Sequence, residues 1–192
     1  MVNMDLIRTF VSVEIPEKFS EQIVNIQKEL EKTKPDIKWV EPENFHFNLK
    51  FLSSRTEAEI TKISEKTKAV TLRHKKFMLS IEQIGCFPSD SSPRVVWLGV
   101  QQGKEEISNL ANDIDESCSK LGIEKEKRKF EPHLTLGRIR SLKNQEALVK
   151  KINENRNIQI GTFKVSKILL MQSKLSPKGP TYSILGKYDL CD

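Results

Sequence analysis

Cysteine, histidine and glycine-rich loops are all scarce here, and each shortage removes a class of function. The three cysteines, Cys86, Cys118 and Cys191, are far apart and match no CxxC pair or disulfide framework. They suit reduced thiols in a cytoplasmic protein, and they exclude a Cys/His zinc module. No apolar run approaches the roughly 20 residues that a membrane helix needs, and no membrane partner is expected. Met1 to Arg8 holds no apolar segment followed by a small-residue cleavage site, so no signal peptide is expected. GxxxxGK(S/T) and GxGxxG are absent, which leaves nucleotide binding through a glycine-rich loop unsupported. The GxSxG nucleophile elbow is absent too.

What is present is a folded, basic chain. At 37% hydrophobic and 30% charged residues, 192 residues can bury a modest core, so disorder is not expected. The formal net charge of +6 favours anionic partners, phosphates and nucleic acids first. Most of the charge is interleaved with acids. Two runs are denser: Arg73-His74-Lys75-Lys76, which reads as solvated surface, and Lys125 to Lys129, which leads straight towards His133.

Of three histidines, two sit in matching tetrapeptides: His46-Phe47-Asn48-Leu49 and His133-Leu134-Thr135-Leu136. Each lies in a run that reads as a β-strand, where residues two apart share a face. His46 then shares a face with Asn48, and His133 with Thr135, while Phe47, Leu49, Leu134 and Leu136 turn to a core. A lone histidine beside apolar residues is usually structural. The repeated pattern is what singles out this pair, and His74 has no such companion.

In chain order, Leu6 to Ile15 reads as a strand. Pro16 and Glu17 open a helix whose apolar stripe is Phe19, Ile23, Ile26 and Leu30, closed by Lys32 to Pro35. Ile37 to Val40 precedes the first motif strand. There Phe45, Phe47, Leu49 and Phe51 alternate with His46, Asn48 and Lys50, which predicts one core face and one polar face. Thr56 to Glu59 predicts a capping box opening a second helix. Phe77 to Ile84 and Arg94 to Val100 read as strands, with Ser89 to Pro93 a loop between them. A third helix follows Gly103 and ends near Gly122. Pro132 to Arg140 is the second motif strand, and Ser141 is a candidate N-cap for a fourth helix carrying Ala147, Leu148 and Ile152. Ile158 to Met171 reads as one long strand bent at Gly161, Ser173 to Pro180 as a loop, and Tyr182 to Tyr188 as a last strand. The expected fold is α+β and bilobal. Two pseudo-symmetric lobes of antiparallel sheet, with outer helices, would flank a central cleft. Residues 1–192 would form one structural domain.

Two histidines facing each other suit general acid–base chemistry, because imidazole titrates near 6.5. One takes a proton from the attacking oxygen and the other gives one to the leaving oxygen. Asn48 and Thr135 can donate to phosphate oxygens without adding charge. The scheme calls for no metal.

At these residues the chain resembles the two-histidine phosphoesterase superfamily, in particular the RNA 2′,3′-cyclic phosphodiesterases, also known as 2′-5′ RNA ligases. That family is marked by two His-x-(Thr/Ser)-x motifs. Further stretches fit: Arg8 to Val11 with Ile15-Pro16, Trp39-Val40, Phe87-Pro88 with Pro93 to Gly99, Phe130 to Arg138, and Gly179 to Tyr182. The resemblance implies opening of a terminal 2′,3′-cyclic phosphate on RNA to a 2′-phosphomonoester, without metal or cofactor. It implies His46 as proton donor, His133 as proton acceptor, Thr135 on a phosphate oxygen and Arg138 as a further phosphate contact. Strict alternation would put Arg138 on the opposite face from His133, so that role needs the strand to end or to bulge near Gly137. Asn48 departs from the pattern, standing where the family has Thr or Ser. An RNA-binding protein with an impaired site, and an enzyme for small cyclic nucleotides, are the alternative readings. Phe45, Phe87 and Tyr182 are candidates for base stacking, with core packing an equal explanation. A monomer is the default expectation.

Overall fold

A computed structural model describes residues 6–177 and 179–192. The expectation about a leader at Met1 to Arg8 concerns a stretch whose first five residues lie outside those described, as does Lys178 of the expected 173–180 loop.

Nine strands and four helices are described. The strands are β1 (Ile7–Glu14), β2 (Ile37–Trp39), β3 (His46–Arg55), β4 (Phe77–Phe87), β5 (Val95–Gly99), β6 (Leu134–Ile139), β7 (Gln159–Val165), β8 (Lys167–Ser176) and β9 (Gly179–Asp189). The helices are α1 (Ser20–Glu31), α2 (Glu57–Thr71), α3 (Lys104–Ser119) and α4 (Gln145–Glu154). A 3-10 turn at Glu17–Phe19 leads into α1, whose stripe of Ile23, Ile26 and Leu30 is buried as the spacing predicts. The capping box forms at Thr56, with Glu59 N–H donating to its hydroxyl and the Glu59 carboxylate accepting from Thr56 N–H.

The strands form one antiparallel sheet in the order β7-β4-β5-β6-β3-β1-β8-β9, with β2 added on β6. The order is symmetric about the β3/β6 seam. Four strands lie on each side, the motif strands are central, and each is flanked by the strand that opens its half or lies next to it in the chain, β1 or β5. The fold is thus α+β with two pseudo-symmetric halves. One half is continuous in sequence, from β4 to β7. The other is assembled from the two parts of the chain on either side of it, with β8 returning to pair with β1.

Both motif strands carry a bulge at the leucine that closes the motif. Along β6, Thr135 faces Trp97 and Gly137 faces Val96, so Leu136 is an extra residue. Along β3, Asn48 faces Ser12 and Lys50 faces Val11, so Leu49 is extra in the same way. An extra residue inverts the alternation beyond it. The expected alternation in β3 therefore fails past Leu49: Lys50 is 5% exposed and Phe51 is 54% exposed. The side-chain ammonium of Lys50 is buried against Asp115 Oδ1 at 2.5 Å and the Glu124 carbonyl at 3.0 Å.

Three other expectations are corrected. Ile158 to Met171 is not one strand but β7 and β8, broken at Ser166 because β7 pairs with β4 and β8 with β1. The 173–180 stretch is not a loop, since β8 and β9 pair as far as Ser176 and Gly179 and form a hairpin. The residue before α4 is Asn144, not Ser141; its φ of 53° is a left-handed conformation that asparagine tolerates.

Candidate active site

The two motif strands touch at one point, where Phe47 pairs with Leu134. Both side chains are fully buried and fix the seam between the halves. The antiparallel register through that pair sets His46 opposite Thr135 and Asn48 opposite His133. Each imidazole thus faces the small polar residue of the other motif. His133 itself stands one residue ahead of β6.

The rings are held alike. His46 Nδ1 lies 2.7 Å from the Asn44 carbonyl and His133 Nδ1 lies 2.8 Å from the Glu131 carbonyl. A carbonyl only accepts, so each Nδ1 carries a proton and Nε2 is the nitrogen left for chemistry. Aromatic rings wall both histidines: Phe10 at 5.0 Å and Tyr182 at 5.4 Å from His46, and Phe87 at 5.0 Å from His133. Burial is the main influence on both and pushes each pKa below the usual imidazole value. The Asn44 and Glu131 carbonyls oppose that shift, while the His133 charge adds to it at His46 and the Arg138 charge adds to it at His133. Two imidazoles that repel as cations can readily carry one proton between them, which is the state acid–base work needs.

His46, Asn48, His133, Thr135 and Arg138 all line one cavity of about 650 Å³. The bulge at Leu136 is what returns Arg138 to the face of Thr135. The Leu136 carbonyl is satisfied twice, by Val40 N–H at 2.9 Å and by the buried Gln27 amide at 2.9 Å. Sequence alone does not single out Gln27, because it sits beside the apolar stripe of α1 and only the fold shows what it reaches. Gly137 is needed at the bulge: a Cβ there would stand 2.6 Å from Ile37 Cγ2 and 2.8 Å from Trp39 Cε3. Asn48 is turned so that Oδ1 is buried without a partner. That leaves its Nδ2 donor as the end available to the cavity.

A second cavity of about 820 Å³ adjoins the first, and Asn48, Phe51 and His133 line both. Of the stacking candidates, Tyr182 lines the first cavity and Phe87 the second, while Phe45 is buried in the core. Phe51, expected in the core, is the exposed aromatic that alternation hides. His74 lies apart, against Asp113 at 3.0 Å. Among the described residues no group of three His, Cys, Asp or Glu is placed to hold a metal ion. No described helix is long and apolar enough to cross a membrane.

Compared with known proteins, the chain matches the LigT-like phosphoesterase family twice, over residues 13–97 and 98–182. An RNA 2′,3′-cyclic phosphodiesterase of Archaeoglobus fulgidus is 38% identical over 184 residues, covering 95% of this chain and 99% of the relative. The enzyme of that name from Methanothermobacter thermautotrophicus is 35% identical over 177 residues, covering 92% and 95%. Among solved structures, TT0787 of Thermus thermophilus superposes with a TM-score of 0.79 at 26% identity, covering 95% of this chain and 97% of that one.

Proposed function

The chain belongs to the LigT-like phosphoesterase family, and from that premise we propose that it hydrolyses the 2′,3′-cyclic phosphate at an RNA end to a 2′-phosphomonoester. The observation that carries the reading is the crossed register at the seam. It gives two imidazoles, each with Nδ1 engaged and Nε2 free, on one cavity with three neutral or cationic phosphate donors.

His133 Nε2 takes a proton from water as its oxygen attacks phosphorus. The bond from phosphorus to O3′ breaks, and O3′ takes the proton held on His46 Nε2. Asn48 Nδ2, the Thr135 hydroxyl and the Arg138 guanidinium donate to the non-bridging oxygens. Donors aimed at such charge are worth about 3 kcal/mol each where they have been removed from other enzymes. A bound phosphate anion also raises the pKa of His46, against the burial that lowers it, and so keeps the acid charged when it is needed. With an RNA 5′-hydroxyl in place of water as the attacking group, the same steps in the same direction make a 2′-5′ linkage, though bulk water favours hydrolysis.

The test is turnover of a short RNA ending in a 2′,3′-cyclic phosphate, with EDTA present, by wild type, His46→Ala and His133→Ala. A 2′-phosphate made by wild type alone is expected. RNA that binds without any product would instead leave an RNA-binding protein with an impaired site.

A further inference from the structure

His46, Thr135 and Arg138 line only the first cavity. The cyclic phosphate, if handled as proposed above, is therefore served from that side, with Asn48 and His133 at the waist. The second cavity, beyond His133, has its own equipment and no role in that scheme. Arg94, Arg128 and Lys129 line it, together with the rings of Phe87 and Phe130; of the acids on the same wall, Asp115 is taken by Lys50 and Glu131 by Lys104, which leaves Glu126 against three cations.

These cations differ from their neighbours. Lys125 pairs with Glu116, Lys127 pairs with Glu124 at 3.0 Å, and Lys104 takes Glu131 at 3.1 Å. Among the described residues no acid pairs with Arg94, Arg128 or Lys129 within 4.0 Å. Nor does the segment bearing Arg128 and Lys129 hang free. Lys50 bonds both Asp115 and the Glu124 carbonyl, and Asp115 in turn accepts from Glu126 N–H at 3.1 Å. The basic wall is thus tied to α3 and to the motif strand β3. Unpaired cations sharing a cavity with aromatic faces are what a single-stranded nucleic acid chain uses, phosphates on the first and bases on the second.

We propose that this second cavity binds the nucleotides immediately upstream of the cyclic phosphate, so that the protein prefers an RNA end to a free cyclic nucleotide. The inference rests on the function proposed above. It also gives the alternative of a small cyclic nucleotide as substrate a specific way to win.

The test compares a mononucleoside 2′,3′-cyclic phosphate with a trinucleotide carrying the same end, for wild type and for Arg94→Ala/Arg128→Ala/Lys129→Ala. All three side chains are exposed, and a melting curve checks the fold. Wild type should prefer the trinucleotide. The variant should fall by about tenfold in kcat/KM for each cation–phosphate pair removed, on the trinucleotide only, since a hydrogen bond to a charged group is of that order. The log–log salt slope should also flatten by about 0.7 for each phosphate that is no longer neutralised. Equal losses on both substrates, or an unchanged preference, would overturn the proposal. If wild type turns over neither substrate, the catalytic reading fails by itself. Titration with the trinucleotide and mononucleotide 2′-phosphates then decides the subsite, which stands if the variant weakens only the former and falls if it does not.

Discussion

Asn48→Thr is the substitution that tests the site most closely, because it should improve stability and preserve catalysis together. Asn48 Oδ1 is buried with no hydrogen-bond partner. An orphaned buried acceptor costs about 1–3 kcal/mol. Threonine removes that oxygen, keeps a donor on the cavity side, and favours strand geometry over asparagine. We predict a net gain of about 1–2 kcal/mol, allowing for lost packing of the amide. For a chain of this length each kcal/mol moves the midpoint by about 2–4 °C, so a rise of about 2–8 °C is expected by thermal melting. Turnover of the cyclic phosphate should fall by less than about tenfold, since one neutral donor replaces another. Asn48→Ala is the control: it removes the donor as well as the orphan, so turnover should drop about 100-fold or more, while the packing lost with the larger truncation offsets the relief of the orphan and leaves stability little changed. A lower melting point for Asn48→Thr would mean that Oδ1 is satisfied in solution. Full activity of Asn48→Ala would mean that Nδ2 never touches the phosphate.

Either His→Ala change should cut kcat by about 100-fold to 10,000-fold, measured as 2′-phosphate release. Because burial lowers both imidazole pKa values, the bell in kcat/KM should peak on the acid side of about 6.5, the ordinary imidazole value. The basic limb of kcat should lie higher once substrate charges His46. A peak in kcat/KM well above about 7 would refute that. The same shifts bear on stability. The unfolded chain binds more protons than the folded one between the lowered values and about 6.5, so stability should fall as pH drops through that window. His46→Gln should show a smaller acid loss in urea titrations, and an unchanged loss would refute the assignment. Lys50→Met strands Asp115, which is partly exposed, and should cost about 2–4 kcal/mol in the same assay. Gly137→Ala must displace β2, whose Lys38 and Trp39 line the cavity, and should raise KM as well as lower the melting point.

The histidine strands are legible in the sequence because a buried Phe47 or Leu134 between polar neighbours leaves one choice of face. The helices are legible for the same reason at helical period, as with Ile23, Ile26 and Leu30. What local pattern cannot give is the pairing partner. Nothing in Ile158 to Met171 says that the chain changes neighbours at Ser166. Nothing in Phe45 to Phe51 says that Leu49 bulges, so alternation assigns Lys50 and Phe51 to each other's faces. The mirror case at Leu136 can be anticipated only because Arg138 needs it. Composition misleads at Ser173 to Pro180, where serine, proline and glycine mark a tight hairpin rather than a loop. Gln27 shows the same limit in reverse: its value lies in the Leu136 carbonyl, far away in sequence.

The return of β8 and β9 to the side of β1 sets an order of events on the ribosome. The half bearing His133 runs unbroken from β4 to β7 and has its strands in hand once β7 has emerged. The half bearing His46 still lacks β8, the strand that flanks β1, and Tyr182, the ring beside the imidazole. Its edge stays open until nearly all of the chain has been made, and an open edge invites pairing with other nascent chains. Premature termination anywhere between β7 and β9 would therefore yield a protein with a seated His133 and an unsupported His46. Of the two motif histidines, the first to be synthesised is the last to be put in place.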